Sequence, residues 1–241
     1  MSGFLLGVLG GMGPLATVDL LQKIIEETPA RRDQEHAPVV AWSVPQIADR
    51  QRALAGTGPS PLPDLLPALA QLNRAGASHI LIPCNTAHFW YPQLAEASAA
   101  PIVHIADATV ASLTQGAVAR VGLIATQGTL DAGLFQQRFA DMGIATLEPL
   151  PQEMTDWFVP GCYAVKRGEL RRGGELLSLL AQALIARGAE RLVLACTEVP
   201  PALAAIDSPL QQLSIDPTRA LAQAAVRLWV AYRDGAGAVS L

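Results

Sequence analysis

Short apolar runs alternate along the chain with longer segments in which apolar residues recur at helical spacing. Five runs have the length and composition of strands, and the first and third of them are predicted to be buried: residues 5–10, 39–44, 79–83, 101–105 and 121–126. Between the first two runs, Leu15, Val18, Leu21 and Ile25 lie on one face of a predicted helix that Pro14 opens. Strands that alternate with helices of this length predict βαβ units and a mostly parallel sheet, with ligands at the carboxyl ends of the strands.

The pattern also repeats. Residues 76–86 (GASHILIPCNT) match residues 188–198 (GAERLVLACTE) at an offset of 112 (196 minus 84). Residues 7–13 match residues 122–128 at an offset of 115 (122 minus 7). Each half therefore contains one strand with a glycine turn, followed by one strand with a cysteine at its end.

This repetition predicts an α/β fold of two pseudosymmetric domains, each a mostly parallel sheet flanked by helices, with an active site in the cleft between them. The last amphipathic helix opens at Asp216-Pro217, beyond the second repeat, and we expect it to return to the first half. The predicted domains are residues 1–113 with 215–241, which carry Cys84, and residues 114–214, which carry Cys196.

Composition narrows the range of partners. Of the 241 residues, 51% are hydrophobic and 16% charged, which is typical of a globular protein, and the net charge is −4. Without a run of Lys or Arg, neither nucleic acid nor an anionic membrane surface is an expected partner. No apolar stretch approaches the ~20 residues of a membrane span, and a basic signal region is missing, so a cytoplasmic protein with a small-molecule ligand is predicted.

Three widely spaced cysteines do not make a disulfide framework. Taken singly, Cys84 or Cys196 is more often a small buried hydrophobic residue than a catalyst. As equivalent residues of a repeat, each at a strand end, the two are poorly explained as independent core choices. Cys162 has no partner in the repeat, and we interpret it as a packing residue.

Two facing thiols suit the inversion of a stereocentre. A thiolate removes the Cα proton from one face, a thiol delivers a proton to the other, and the roles exchange with the direction of reaction. A thiol pKa lowered at a helix N-terminus would suit this chemistry near neutral pH. Backbone N–H groups after each cysteine, with the side chains of Asn85, Thr86 and Thr197, are the expected donors to the substrate carboxylate.

The chain resembles the aspartate/glutamate racemase family, and specifically its aspartate racemase branch. The resemblance covers nearly the whole chain and rests on strings in the expected order: GGMGPLAT (10–17), DQEH (33–36), DR (49–50), PCNTAH (83–88), ATQGT (125–129), VKRG (165–168) and CTEV (196–199).

This resemblance implies a two-base thiol mechanism that uses neither pyridoxal phosphate nor a metal ion, and usually a homodimer. It implies that Arg50 and Lys166 are the cations nearest the substrate carboxylates. The remaining implied or expected substrate contacts are Met12, Asn85, Thr86, Thr126, Thr129, Thr197 and Glu198.

The expected substrate is a small, dicarboxylic amino acid. Glutamate racemases carry an acidic-serine pair after the first strand and a histidine after the second Cys-Thr, whereas this chain has Gly11-Met12 and Glu198 there. Aspartate racemisation is therefore the leading hypothesis. The alternatives are a broad-specificity amino-acid racemase, a decarboxylase or cis–trans isomerase of the same fold, and a non-catalytic amino-acid-binding protein on the same scaffold.

Two further motifs are interpreted without a catalytic role. The glycine pattern Gly7-x-x-Gly10-x-x-Gly13 differs from the G-x-G-x-x-G of dinucleotide-binding loops. Cys84 and His88 have a spacing that could suggest a metal site, but no second pair of ligands accompanies them. We interpret His88 as a helix residue that is hydrogen-bonded near the site.

Overall fold

The computed structural model of the protein describes residues 3–113 and 118–235. The chain divides into two compact units: the first combines Met1–Ala108 with Thr218–Leu241, and the second is Thr109–Pro217. The boundaries drawn from the sequence, 113/114 and 214/215, differ from these at both junctions. The second junction lies later because Ile215 pairs with Val193 in the sheet of the second unit.

The first unit contains a four-stranded parallel sheet with the order β2-β1-β3-β4. Its strands are β1 (Leu6–Gly10), β2 (Val39–Ser43), β3 (His79–Leu81) and β4 (Ile102–Val103). The helices that follow these strands are α1 (Pro14–Glu27), α2 (Arg50–Leu54), α3 (Leu62–Arg74), α4 (Tyr91–Ala97) and α5 (Ile105–Ala111), with short 3₁₀ turns at Asp33–Glu35 and Thr86–Trp90.

The second unit contains its own four-stranded parallel sheet, with the order β6-β5-β7-β8. Its strands are β5 (Arg120–Leu123), β6 (Ala145–Leu147), β7 (Arg191–Val193) and β8 (Ser214–Ile215). The remaining helices are α6 (Gln127–Asp131), α7 (Gln136–Asp141), α8 (Pro151–Glu153), α9 (Val159–Lys166), α10 (Leu170–Ala186), α11 (Val199–Ala204) and α12 (Pro217–Arg233), with a π-helical turn at Met154–Phe158 and a 3₁₀ turn at Pro209–Leu213.

The two sheets therefore have the same strand order, with the first strand of each unit in second position. This confirms the predicted α/β class and the two parallel sheets flanked by helices. Within each unit, the cysteine-bearing strand lies beside the strand with the glycine turn.

The equivalent glycines show why the two strand pairs have the same spacing. A Cβ atom on Gly7 would lie 2.8 Å from Ala77 Cβ, and one on Gly122 would lie 3.2 Å from Ala189 Cβ. The two alanines are themselves 112 positions apart (189 minus 77), which is the offset of the repeat. In both units, therefore, an alanine packs closely against the glycine of the first strand, and a side chain there would clash at Gly7 and be crowded at Gly122.

The sheet of the first unit is covered on both faces, as its nearly continuous apolar strands require. One face carries Leu6 and Val8 and packs against α1, α5 and α12, with Leu221 in the same buried cluster. The other carries Leu9 and Ile80 and packs against α3 and α4. The last helix thus belongs to the core of the first unit. Across residues 3–113 and 118–235, none of the helices is long and apolar enough to cross a membrane.

Candidate active site

Each cysteine of the predicted pair lies just beyond the carboxyl end of the third strand of its sheet. Cys84 follows β3 and Cys196 follows β7, and both are almost fully buried, with 6% and 5% of their surface exposed.

The side chain of His88 holds the Cys84 turn through a backbone carbonyl. The Cys84 N–H donates to Ile82 O at 2.8 Å. His88 Nε2 accepts a hydrogen bond from Ile105 N at 3.2 Å, so its proton sits on Nδ1, which lies 2.9 Å from Cys84 O and donates to it. His88 therefore connects the backbone of the turn to the start of α5, a structural role in line with the interpretation made from the sequence. The centroids of the His88 and His104 rings lie 4.6 Å apart.

Helix α2 lies against the same turn. Gln51 Nε2 donates to Thr86 Oγ1 at 3.0 Å, a contact that sequence reasoning missed, since nothing in the local pattern relates residues 35 positions apart. Asp49 accepts hydrogen bonds from Gln51 N and Arg52 N and so caps the start of α2.

Three buried polar atoms of the first unit have no hydrogen-bond partner among the described residues: His36 Nδ1, Asn85 Oδ1 and Arg50 Nε, of which the last two belong to predicted site residues. Arg50 Nη1 donates to Ile47 O at 3.1 Å and to Ala48 O at 3.0 Å, which orients the guanidinium at the start of α2. Met12, predicted to line the site, lies with Cys84 in one buried apolar cluster. A buried polar atom without a hydrogen bond lowers the stability of the folded protein, so Asn85 and Arg50 are candidates for contact with a ligand.

The Cys196 turn is held through its sulfur. Cys196 Sγ donates to Glu198 Oε2 at 3.0 Å, and Thr197 Oγ1 donates to the same oxygen at 3.3 Å. Lys166 Nζ lies 3.8 Å from the other oxygen, Glu198 Oε1. The structure therefore brings four predicted site residues together in the second unit.

Cys162 is a member of this group that sequence reasoning missed. It is buried in the apolar cluster of the second unit, as predicted for a packing residue, but its Sγ also lies 3.8 Å from Cys196 Sγ. Cys162 and Lys166 are one turn apart on α9, and this spacing of four was the available signal. One face of α9 thus contacts Cys196 with its thiol and Glu198 with its ammonium group.

These neighbours raise the pKa of the Cys196 thiol well above its ordinary value. The causes are the adjacent Cys162 thiol first, then burial, and then the Glu198 carboxylate. The expectation of a lowered thiol pKa is wrong for Cys196, because burial and two acidic neighbours oppose its ionisation. In this arrangement Cys196 rests as a thiol.

Two of the three predicted threonines of the second unit form the start of α6. Thr126 follows β5 and caps the helix, accepting a hydrogen bond from Thr129 N at 3.3 Å, and the two hydroxyl oxygens lie 2.9 Å apart. Within the parts of the chain that the structure describes, His, Cys, Asp and Glu side chains form no group of three that could hold a metal ion.

Comparisons with known proteins agree on one family. A sequence model of the Asp/Glu/hydantoin racemase family matches residues 9–225. The chain is 23% identical over 235 residues to the broad-specificity amino-acid racemase RacX of Bacillus subtilis (strain 168), covering 95% of this chain and 100% of that one.

Solved structures with a similar fold include the aspartate racemase of Picrophilus torridus, with a TM-score of 0.83 and 27% identity over 96% of this chain and 98% of that chain. A glutamate racemase of Francisella tularensis subsp. tularensis SCHU S4, solved in complex with D-glutamate, has a TM-score of 0.70 and 15% identity, covering 100% of this chain and 86% of that chain.

Proposed function

The chain belongs to the Asp/Glu/hydantoin racemase family and is an amino-acid racemase, and on this premise we propose that it interconverts L- and D-aspartate by two-base proton transfer without a cofactor. In the proposed mechanism, Cys84 and Cys196 act on opposite faces of the substrate Cα. One removes the proton as a thiolate while the other delivers a proton as a thiol, and the roles exchange in the reverse reaction.

One observation carries this proposal: both units place a cysteine just beyond the end of the equivalent strand. In a parallel sheet, the carboxyl ends of the strands are where ligands bind. A pair of independent core cysteines would have no reason to occupy equivalent strand ends in two sheets. Racemisation, in contrast, needs one proton donor and one proton acceptor of the same kind.

Residues around the Cys84 turn supply the proposed substrate contacts of the first unit. Asn85 Oδ1, buried and without a partner among the described residues, suits the substrate ammonium group as a hydrogen-bond acceptor. The Arg50 guanidinium, whose Nε is likewise unpartnered, suits a carboxylate. Backbone N–H groups and Thr86 are the proposed donors to the negative charge that develops when the Cα proton leaves.

In the second unit, Lys166 is the proposed second cation for a dicarboxylic substrate. Its side chain is 56% exposed and its contact with Glu198 is 3.8 Å long, so the ion pair is weak and the ammonium group can be shared with a ligand. Thr126, Thr129 and Thr197 are the proposed hydroxyl contacts. The likeness to the Picrophilus torridus aspartate racemase supports aspartate as the substrate.

A second candidate is racemisation of many amino acids, and the full-length similarity to the broad-specificity RacX favours it.

We also propose that the protein is a homodimer. Helix α1 exposes the apolar side chains of Leu15, Val18 and Ile25 on one face, and contiguous exposed apolar residues often mark a protein–protein interface. Light scattering at several protein concentrations tests the dimer, and a monomer throughout would refute it.

The experiment that tests the proposed function is deuterium incorporation at Cα in D2O, without added cofactor. L-Aspartate, L-glutamate, L-alanine and L-lysine are incubated separately, and both deuterium and the D-enantiomer are measured by mass spectrometry and chiral chromatography. We expect the fastest incorporation with aspartate. Equal rates for all four would establish the broad-specificity candidate instead, and incorporation that depends on added pyridoxal phosphate would overturn the cofactor-independent mechanism.

A further inference from the structure

Cys196 is buried, yet a two-base mechanism requires it to lose and regain a proton in each catalytic cycle. We propose that Glu198 is the residue through which Cys196 exchanges that proton, an inference that rests on the proposed function of Cys196. Glu198 is then a proton-transfer partner of the thiol rather than a contact for the substrate, the role that the sequence analysis gave it.

Among the described residues, Glu198 is the polar contact of Cys196 that leads toward solvent. Its sulfur contacts Cys162 Sγ, which is itself buried, and Glu198 Oε2. The Glu198 side chain is 18% exposed and reaches Lys166, which is 56% exposed. Exposure thus increases stepwise from the thiol to the carboxylate and then to the ammonium group, and the carboxylate is the only base in this series that can accept a proton from the thiol.

Neighbouring side chains fix the orientation of the carboxylate. Glu198 Oε2 accepts the hydrogen bond from the Cys196 thiol at 3.0 Å, while Lys166 lies 3.8 Å from the other oxygen, Oε1. Thr197 donates to the same Oε2 at 3.3 Å and holds it in place. A carboxylate already engaged on both oxygens is poorly suited to bind a substrate, and its negative charge would repel a second carboxylate.

The proton transfer balances in both directions. When Cys196 acts as the base, its S–H bond breaks, an O–H bond forms on Glu198, and the electron pair and negative charge remain on sulfur. The thiolate then takes the Cα proton, and Glu198 releases its proton to water. When Cys196 acts as the acid, it gives its proton to the substrate carbanion, and Glu198 returns a proton taken from water to the thiolate.

This arrangement makes an unusual prediction for Glu198→Gln. The carboxylate holds the proton on the thiol, as a hydrogen-bond acceptor and as a nearby negative charge, so its removal makes Cys196 ionise at lower pH. The same removal takes away the proton acceptor, so racemisation slows. A residue that only supports the turn has no reason to combine easier ionisation with slower catalysis.

Ionisation is measured by the pH dependence of alkylation with iodoacetamide, followed by trypsin digestion and mass spectrometry. Cleavage after Arg74, Arg138 and Arg191 places Cys84, Cys162 and Cys196 in three separate peptides. The midpoint for Cys196 is compared in the wild type, Glu198→Gln, Glu198→Asp and the matched control Glu175→Gln. Glu175 is an exposed carboxylate of the same unit that pairs with Arg172. The groups that face Cys196 are Cys162 and Glu198, with Lys166 behind Glu198, and the alkylation of Cys162 is followed in the same digests.

We expect Glu198→Gln to lower the Cys196 midpoint by about one pH unit and to slow racemisation by on the order of 10²-fold, the contribution of one positioned acid–base group. Glu198→Asp should keep part of the rate, and Glu175→Gln should change neither property. Added formate, a small carboxylate, should partly restore the rate of Glu198→Ala.

Two results would overturn the inference: a lowered midpoint with an unchanged rate, or a slower rate with an unchanged midpoint. If Glu198→Gln does not fold, Glu198→Asp decides the question. The shorter carboxylate should then lower both the Cys196 alkylation midpoint and the rate of racemisation. If the wild type racemises none of the amino acids tested, the proposed function fails, whereas the alkylation midpoints still decide whether Glu198 holds the proton of Cys196.

Discussion

The two cysteine turns lie at equivalent ends of two sheets with the same strand order, but different groups hold them. The Cys84 turn is fixed through its backbone carbonyl by His88. The Cys196 turn is fixed through its sulfur, which contacts Cys162 and Glu198. A repeated backbone therefore does not entail repeated acid–base chemistry, because the proton affinity of the Cys196 thiol depends on Cys162, which has no equivalent in the repeat, and on Glu198, whose equivalent position holds Thr86.

The strongest test of this comparison replaces each cysteine separately by serine. We expect Cys84→Ser and Cys196→Ser each to slow racemisation by on the order of 10²–10⁴, because either half of a two-base mechanism is indispensable. Each variant should retain deuterium exchange at Cα of one enantiomer only, and the two variants should retain opposite enantiomers. Racemisation near the wild-type rate in either variant would contradict the assignment of that cysteine.

Arg50→Ala tests whether the first unit binds a carboxylate of the substrate. We expect KM for aspartate to rise by about 10–100-fold, the effect of losing one charge-assisted hydrogen bond, with a smaller change for alanine. Arg52→Ala is the matched control, since Arg52 lies on the same helix and donates to Thr57 O. An unchanged preference for aspartate over alanine would show that Arg50 does not bind the side-chain carboxylate. Lys166→Ala is the corresponding variant of the second unit.

His88→Ala tests the backbone contact that distinguishes the Cys84 turn. The repeat places Pro200 at the equivalent position (200 minus 88 is 112), so the second unit has no counterpart. Removing the ring leaves two buried backbone groups, Cys84 O and Ile105 N, without their side-chain partner, and we expect a loss of about 2 kcal/mol in the free energy of unfolding. Urea denaturation measures it. Alkylation of Cys84 should also become faster, and an unchanged rate would argue against a positioning role.

Cys162→Ala tests whether Cys162 raises the pKa of Cys196, which is the smallest difference expected between the two turns. Cys162 is the first cause of the raised pKa of Cys196, so its removal should lower the pH midpoint of Cys196 alkylation and leave that of Cys84 unchanged. Val165→Ala, a buried change on the same helix, controls for the cavity that alanine leaves. Both variants should be less stable than the wild type, but only the first should shift the midpoint. A shift in both would attribute the effect to packing.

Much of the fold follows from local patterns in the sequence. The apolar runs before Cys84 and Cys196 predict buried strands, and the matched strings predict two related sheets, which the strand orders confirm. The family match confirms the recognised resemblance and the isomerase class. The short strands β6 (Ala145–Leu147) and β8 (Ser214–Ile215) were not predicted, because each contains a polar residue and lacks the longer apolar run that surrounds the equally short β3, β4 and β7.

The electrostatics of the site could not be predicted in the same way. The raised pKa of Cys196 depends on Cys162, 34 residues earlier in the chain, which reaches it only because α9 packs over the end of β7. Such packing leaves no local pattern in the sequence. The spacing of Cys162 and Lys166 indicates a shared helix face, but not what that face contacts.

Helix α12 has a consequence for the order in which the two units can complete their folding during synthesis. Thr109–Pro217 leaves the ribosome before Leu221 and the other residues of α12 that complete the core of the first unit. Until then, the sheet face that carries Leu6 and Val8 lacks one of its covering helices. The segment translated first can therefore complete its core only after the rest of the chain has been made, and until then its apolar sheet face stays partly uncovered.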